Sequence, residues 1–153
     1  FNLTPTTALY GSPMWSPNGT NIIFVSQWRE GQSLYLLDVD EKTIIPVPKS
    51  TIVDNDVQWS PDGTSVAFVS SRNGNNDIYV VELASGTLTN LTQHDSYDIS
   101  PRWSPDGTSI AFVSGRAGND DIYSVSVKTG EVRRLTRTDT ADTQPAWQPY
   151  LTP

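Results

Sequence analysis

Apolar residues in this chain fall into short runs and alternations, with no helical stripe. Ile110-Ala111-Phe112-Val113 is a four-residue apolar run between turn residues, the pattern of a strand buried on both faces. Before it, Trp103-Ser104-Pro105-Asp106-Gly107 ends in a turn: proline presets the backbone, Asp bonds its own main chain and Gly takes the positive φ. Residues 115–119 form a loop. Asp121-Ile122-Tyr123-Ser124-Val125-Ser126-Val127 then alternates with period two, which predicts a strand whose faces differ. Lys128-Thr129-Gly130 reads as a hairpin turn, and residues 132–135 as a more polar fourth strand. A loop rich in Asp and Thr leads to Pro145-Ala146-Trp147, expected as the first strand of a next unit.

The same order of elements occurs earlier. Val66-Ala67-Phe68-Val69, Asp77-Ile78-Tyr79-Val80-Val81 and residues 88–91 repeat it closely, and Ile22-Ile23-Phe24-Val25, Leu34-Tyr35-Leu36-Leu37 and residues 44–47 repeat it more loosely. Pro46 and Pro48 remove ladder donors, which an outermost edge strand tolerates. Tryptophans 15, 59, 103 and 147 mark the repeat and are each 44 residues apart. A four-stranded antiparallel unit recurring at about 40–45 residues is a propeller blade. The chain is therefore all-β: a β-propeller segment of three four-stranded antiparallel blades with partial terminal blades. Counted from the tryptophans, the blades are 15–58, 59–102 and 103–146. Residues 1–14 are the end of a preceding blade with the loop that follows it, and 147–153 the first strand of a following one. Asn2-Leu3-Thr4 aligns with Asn90-Leu91-Thr92 at twice the period, so the chain is expected to open and close in mid-blade, as part of a longer polypeptide.

The string Trp-Ser-Pro-Asp-Gly-Thr-Ser-Ile-Ala-Phe-Val-Ser from Trp103, then Gly-Asn-Asp-Asp-Ile-Tyr and Gly-Glu-Val-Arg-Arg-Leu-Thr, resembles the TolB-like β-propeller repeat. The likeness recurs from Trp59 and, more weakly, from Trp15. It implies a rigid, non-enzymatic module that holds partner proteins in a periplasmic or extracellular setting. Similar repeats also form the propeller halves of prolyl-oligopeptidase-type serine peptidases, so the fold does not select among these uses.

Charge narrows the partners. Seventeen acidic residues against ten basic ones give a net charge of −7, which argues against nucleic acid and anionic lipid, both of which need clustered Lys/Arg. No apolar run reaches the roughly 18 residues of a membrane-spanning helix. Cysteine is absent, which removes disulfides, thiolate metal sites and a cysteine nucleophile from consideration. The sole histidine, His94, lies outside the repeat register, and no Gly-x-Ser-x-Gly elbow occurs. A catalytic function is not expected.

Candidate contacts come from the repeat register. Trp15, Trp59, Trp103 and Trp147 are expected to fill the wedge between blades. Asp54, Asp98 and Asp142 share one register in the loop leading into each inner strand. As a partial ring of carboxylates at the channel mouth they would suit a basic peptide or a divalent cation such as calcium; as Asx residues they would cap their own turns. Gln58 and Arg102, with Ala146 and Met14, precede the tryptophans and vary between units, which leaves that position open to ligand-specific use at the channel or its rim. Asp77 and Asp121 each follow an Arg by five residues, Arg72 and Arg116, which suggests a clasp across the loop. Trp28 stands at the same loop tip in the first unit as a contact candidate. Asn2, Asn18 and Asn90 head N-glycosylation sequons. The expected function is a non-catalytic module for protein–protein interaction or scaffolding, completed by a protein partner or further blades. A homo-oligomeric extracellular assembly and a peptidase cap are the alternatives.

Overall fold

The computed structural model describes residues 10–27, 32–51 and 55–148. Among them are twelve strands: β1 (Tyr10–Trp15), β2 (Asn21–Ser26), β3 (Ser33–Asp38), β4 (Thr43–Pro46), β5 (Asn55–Trp59), β6 (Ser65–Ser70), β7 (Asp77–Glu82), β8 (Leu88–Asn90), β9 (Asp98–Trp103), β10 (Ser109–Ser114), β11 (Asp121–Ser126) and β12 (Val132–Arg134). They form three separate sheets, β1-β2-β3-β4, β5-β6-β7-β8 and β9-β10-β11-β12, every pairing antiparallel between neighbours in sequence. The all-β blade architecture is as the hydrophobic pattern requires. Each sheet begins ahead of its tryptophan, which ends the inner strand. Pro145-Ala146-Trp147 belongs to no strand, because among the described residues no second strand lies beside it.

Packing explains why the runs read as they do. Blade 2 lies between two blades, so successive residues from Val66 to Ser70 in β6 and from Asp77 to Val81 in β7 are buried on both faces. One face of it, with Val66, Phe68, Tyr79 and Val81, packs on Ile23, Val25, Leu34 and Val47 of blade 1. The other, with Ala67, Val69, Ile78 and Val80, packs on Ile110, Phe112, Tyr123 and Val125 of blade 3. In β11 the residues facing blade 2 are buried and the alternate ones half-exposed, matching its Ser124 and Ser126. The inner strands β5 and β9 each hold a residue at positive φ in the same register, Asp56 at 55° and Ser100 at 56°, where the pairing with the second strand shifts. That is a repeated β-bulge that bends the inner strand.

The turn after each tryptophan is a closed network. In blade 2, Asp62 Oδ1 accepts from the Ser60 hydroxyl at 2.6 Å, the Thr64 amide at 3.0 Å and the Thr64 hydroxyl at 2.9 Å. Asp106 does the same in blade 3, and Asn18 in blade 1. These donors favour the carboxylate and hold the Asp62 carboxyl below its usual range, the Ser60 hydroxyl first. A lowered folded-state value stabilises the fold above the unfolded value, and the contribution is lost as pH falls through the folded one. Asp62→Ala is expected to lower stability by about 1 kcal/mol near neutrality. Urea titrations should show that deficit shrinking as the solution is acidified.

Candidate functional site

Each inner strand has two ends, and the candidate residues divide between them. At its start, the Asp98 side chain is 0% exposed and is held bidentate by Arg116 Nη2, at 2.9 and 2.8 Å. Arg116 also donates through Nε to Ser114 at 2.9 Å and lies over the rings of Phe112 and Tyr123. Burial pushes the Asp98 carboxyl above its ordinary value, against the opposing pull of Ser114, Arg116 and Thr92. Asp98 is thus an internal anchor rather than an open carboxylate at a channel mouth. Asp142, in the same register, is half-buried and accepts from the Thr138 hydroxyl at 2.9 Å. Asp54 and Trp28 lie outside the described residues, as does Asn2.

The clasps expected between Arg116 and Asp121 and between Arg72 and Asp77 do not form. Asp121 pairs with Arg134 at 2.6 Å, and Asp77 accepts from Asn90 at 2.7 Å. Arg72 lies over Phe68 and Tyr79 and donates to the carbonyls of Lys49 and Thr51 at 2.9 and 2.7 Å. The reason is geometric. Each Arg follows the second strand by two residues and curls back over the aromatic pair toward the inner-strand side. Each Asp opens the third strand and bonds to residues of the fourth.

Other residues at this end were legible only as loop. Asn75 Nδ2 donates to the carbonyls of His94 and Ser96, and Asn119 Nδ2 to those of Thr138 and Thr140. Their 44-residue spacing was the available signal. The backbone amides of Asp98 and Asp142 complete the staple by donating to the carbonyls of Asn76 and Asp120, at 2.7 and 2.8 Å. In blade 3 the Tyr97 hydroxyl donates to the Asp120 carboxylate, which raises the pKa of the phenol. The Tyr97 ring lies close over Gly115, where a Cβ would meet it at 3.0 Å, so a larger residue there would require the ring to shift.

About 13 Å along the strand from Asp98, at four residues' rise, Arg102 sits beside Trp103. The tryptophans join the blades in one register: Trp59 Nε1 donates to the Met14 carbonyl at 3.1 Å, Trp103 to Gln58 at 3.2 Å and Trp147 to Arg102 at 2.8 Å. Trp59 is 8% exposed, as a wedge between blades should be, whereas Trp15 is 55% exposed. Gln58, Trp59, Arg102, Trp103, Ala146 and Trp147 line a groove of about 560 Å³ walled also by prolines. Gln58 and Arg102 therefore share a site with each other, and not with Asp98.

Among the described residues no group of three or more His, Cys, Asp or Glu is placed to hold a metal ion, and no helix is long and apolar enough to cross a membrane. Of the sequon residues, Asn18 is exposed in its turn. Asn90 is half-buried and spends its amide nitrogen on Asp77 and Tyr79.

The family model described as the TolB beta propeller domain matches residues 1–151. Among solved structures, TolB from Acinetobacter baumannii is similar at 28% identity and a TM-score of 0.75, over 92% of this chain and 35% of that one. A putative TolB from Agrobacterium tumefaciens is similar at 24% identity and a TM-score of 0.66, over 94% of this chain and 67% of that one. An oligogalacturonate lyase from Vibrio parahaemolyticus shares the fold at 15% identity and a TM-score of 0.71, over 86% of this chain and 42% of its own. Among curated proteins none matches the chain.

Proposed function

Because the chain belongs to the TolB β-propeller domain family, we propose that it works as a non-catalytic module for protein–protein interaction or scaffolding, completed by further blades. The observation that carries this reading is the groove at the turn end of the inner strands. There the tryptophans repeat without change and are locked to the preceding blade, while the residue before each one varies: Gln58, Arg102, Ala146. A rigid frame with variable positions between fixed anchors suits recognition of a partner better than turnover of a substrate. Asp142, at the opposite end, and Asp54, which shares its sequence register, are the second proposed contact set, with Asp98 as internal support.

Two exposed halves of the inter-blade joint support the further blades. Val47 and Leu91 are 5% and 8% exposed, but Leu135, in the same register, is 54% exposed. Trp15 is the matching opening on blade 1. On this reading the module is periplasmic or extracellular, as the family likeness implies.

Photo-crosslinking in the producing cell tests the groove. A photoreactive residue at position 58 or 102 is expected to capture a protein partner, while one at the exposed Ala84 is not. Equal capture at all three positions, or none at 58 and 102, overturns the groove. Peptide and uronate substrates should be consumed no faster with the chain than without it; turnover would overturn the non-catalytic reading.

A further inference from the structure

Two Asn-Gly dipeptides, Asn18-Gly19 and Asn73-Gly74, stand in turns. In such a pair the glycine nitrogen can reach the asparagine side-chain amide, since glycine has no Cβ to hinder the approach. The two asparagines are held very differently. Asn18 Oδ1 accepts from the Ser16 hydroxyl at 2.7 Å and from the Thr20 amide and hydroxyl at 3.2 and 3.0 Å. Turning its amide carbon toward Gly19 breaks all three bonds. Asn73 is exposed, and its side chain makes no hydrogen bond among the described residues. Gly74 has φ of +107°, with nothing within 4 Å of a Cβ position, and among the described residues its amide makes one turn bond, to the Ser71 carbonyl at 2.9 Å.

We infer that Asn73 is a site of spontaneous deamidation and that the turn network protects Asn18. The Gly74 nitrogen attacks Asn73 Cγ, forming a C–N bond. The bond from Cγ to the side-chain nitrogen breaks, and that nitrogen leaves as ammonia with the Gly74 amide proton. Water then opens the cyclic imide at either carbonyl, giving aspartate or isoaspartate. Nothing is oxidised or reduced, and water is the only co-reactant.

Position 73 gives this change a structural consequence. Arg72, on one side, holds the carbonyls of Lys49 and Thr51 that lead out of blade 1. Asn75, on the other, holds those of His94 and Ser96 that lead toward blade 3. A new carboxylate at 73 competes for Arg72, and isoaspartate adds a backbone carbon between the two staples. Blade 3 has Ala117 at the equivalent position, before Gly118 at φ +100°, so the same turn forms without the labile amide.

The test is fragmentation mass spectrometry of the intact chain aged at mildly alkaline pH, folded and in urea. In the folded chain, conversion at 73 should outrun that at 18 by more than about tenfold, because the three bonds on Asn18 must open first. In urea the two rates should converge. Asn73→Ala should show no conversion there and keep its melting temperature on ageing, while the aged parent melts lower. Asn73→Ser serves as a second variant should the first fold poorly. Equal folded-state rates at 18 and 73, or conversion at 73 no faster than at the clamped Asn75, would overturn the inference.

Discussion

Arg116→Ala is expected to destabilise the protein by about 3–5 kcal/mol at neutral pH, since it leaves a buried carboxylate without its partner. The Asp98 side chain is 0% exposed, and the guanidinium meets both of its oxygens. The loss should depend on pH in a stated direction. Burial already raises the Asp98 carboxyl above its unfolded value, and removing the cation raises it further. An acid whose folded value is raised contributes most below the unfolded value, and that contribution is lost as pH climbs from the unfolded to the folded value. Stability of Arg116→Ala relative to the parent should therefore recover on acidification, as Asp98 takes up a proton. Asp98→Asn, which removes the charge but keeps the shape, should cost less than Arg116→Ala near neutrality. Denaturant titrations of both variants across the acidic range check this; a deficit independent of pH would mean that the pair contributes through packing alone.

Phe68→Ala is expected to cost about 3–5 kcal/mol, the range for deleting a fully buried aromatic side chain. Phe68 is fully buried in the joint between blades 1 and 2, stacked on Tyr79 at 6.0 Å between centroids and lying under Arg72. Its loss opens a cavity and removes the floor on which Arg72 lies while it staples Lys49 and Thr51. Blades contact only their neighbours, so stability is roughly a sum of blade terms and joint terms. Weakening this joint should lower the urea midpoint and broaden the transition as blade 1 uncouples from blades 2 and 3. A single transition with unchanged slope would instead mean that all three blades unfold as one unit.

The strands were readable because the blade is a local structure. Strand, turn, strand and hairpin follow one another within 44 residues, and each carries its own signal, down to the Asp62 and Asp106 turns. The pairing of charges was not readable from spacing. Arg116 is five residues before Asp121 and eighteen after Asp98, yet it bonds the distant one. Sequence proximity put the clasp across the loop; the curl of Arg116 over Phe112 and Tyr123 put it across the sheet. Arg102 and Gln58 stand apart from Asp98 for a related reason. They share an inner strand, and an extended strand carries its two ends to opposite sides of the blade.

What the sequence determined by itself was the repeat, the four-strand unit and the tryptophan joint. Period, turn chemistry and alternation are short-range properties, and identical units must pack identically on one another. Only the tertiary structure decided which carboxylates are open and which buried. Asp98 and Asp142 share a register, but Arg116 of blade 3 covers the first, while the second, half-buried, accepts from a threonine hydroxyl. The same holds for the tryptophans: Trp59 and Trp15 have the same sequence signature, and burial against Met14 and blade 1 separates the wedge from the exposed ring.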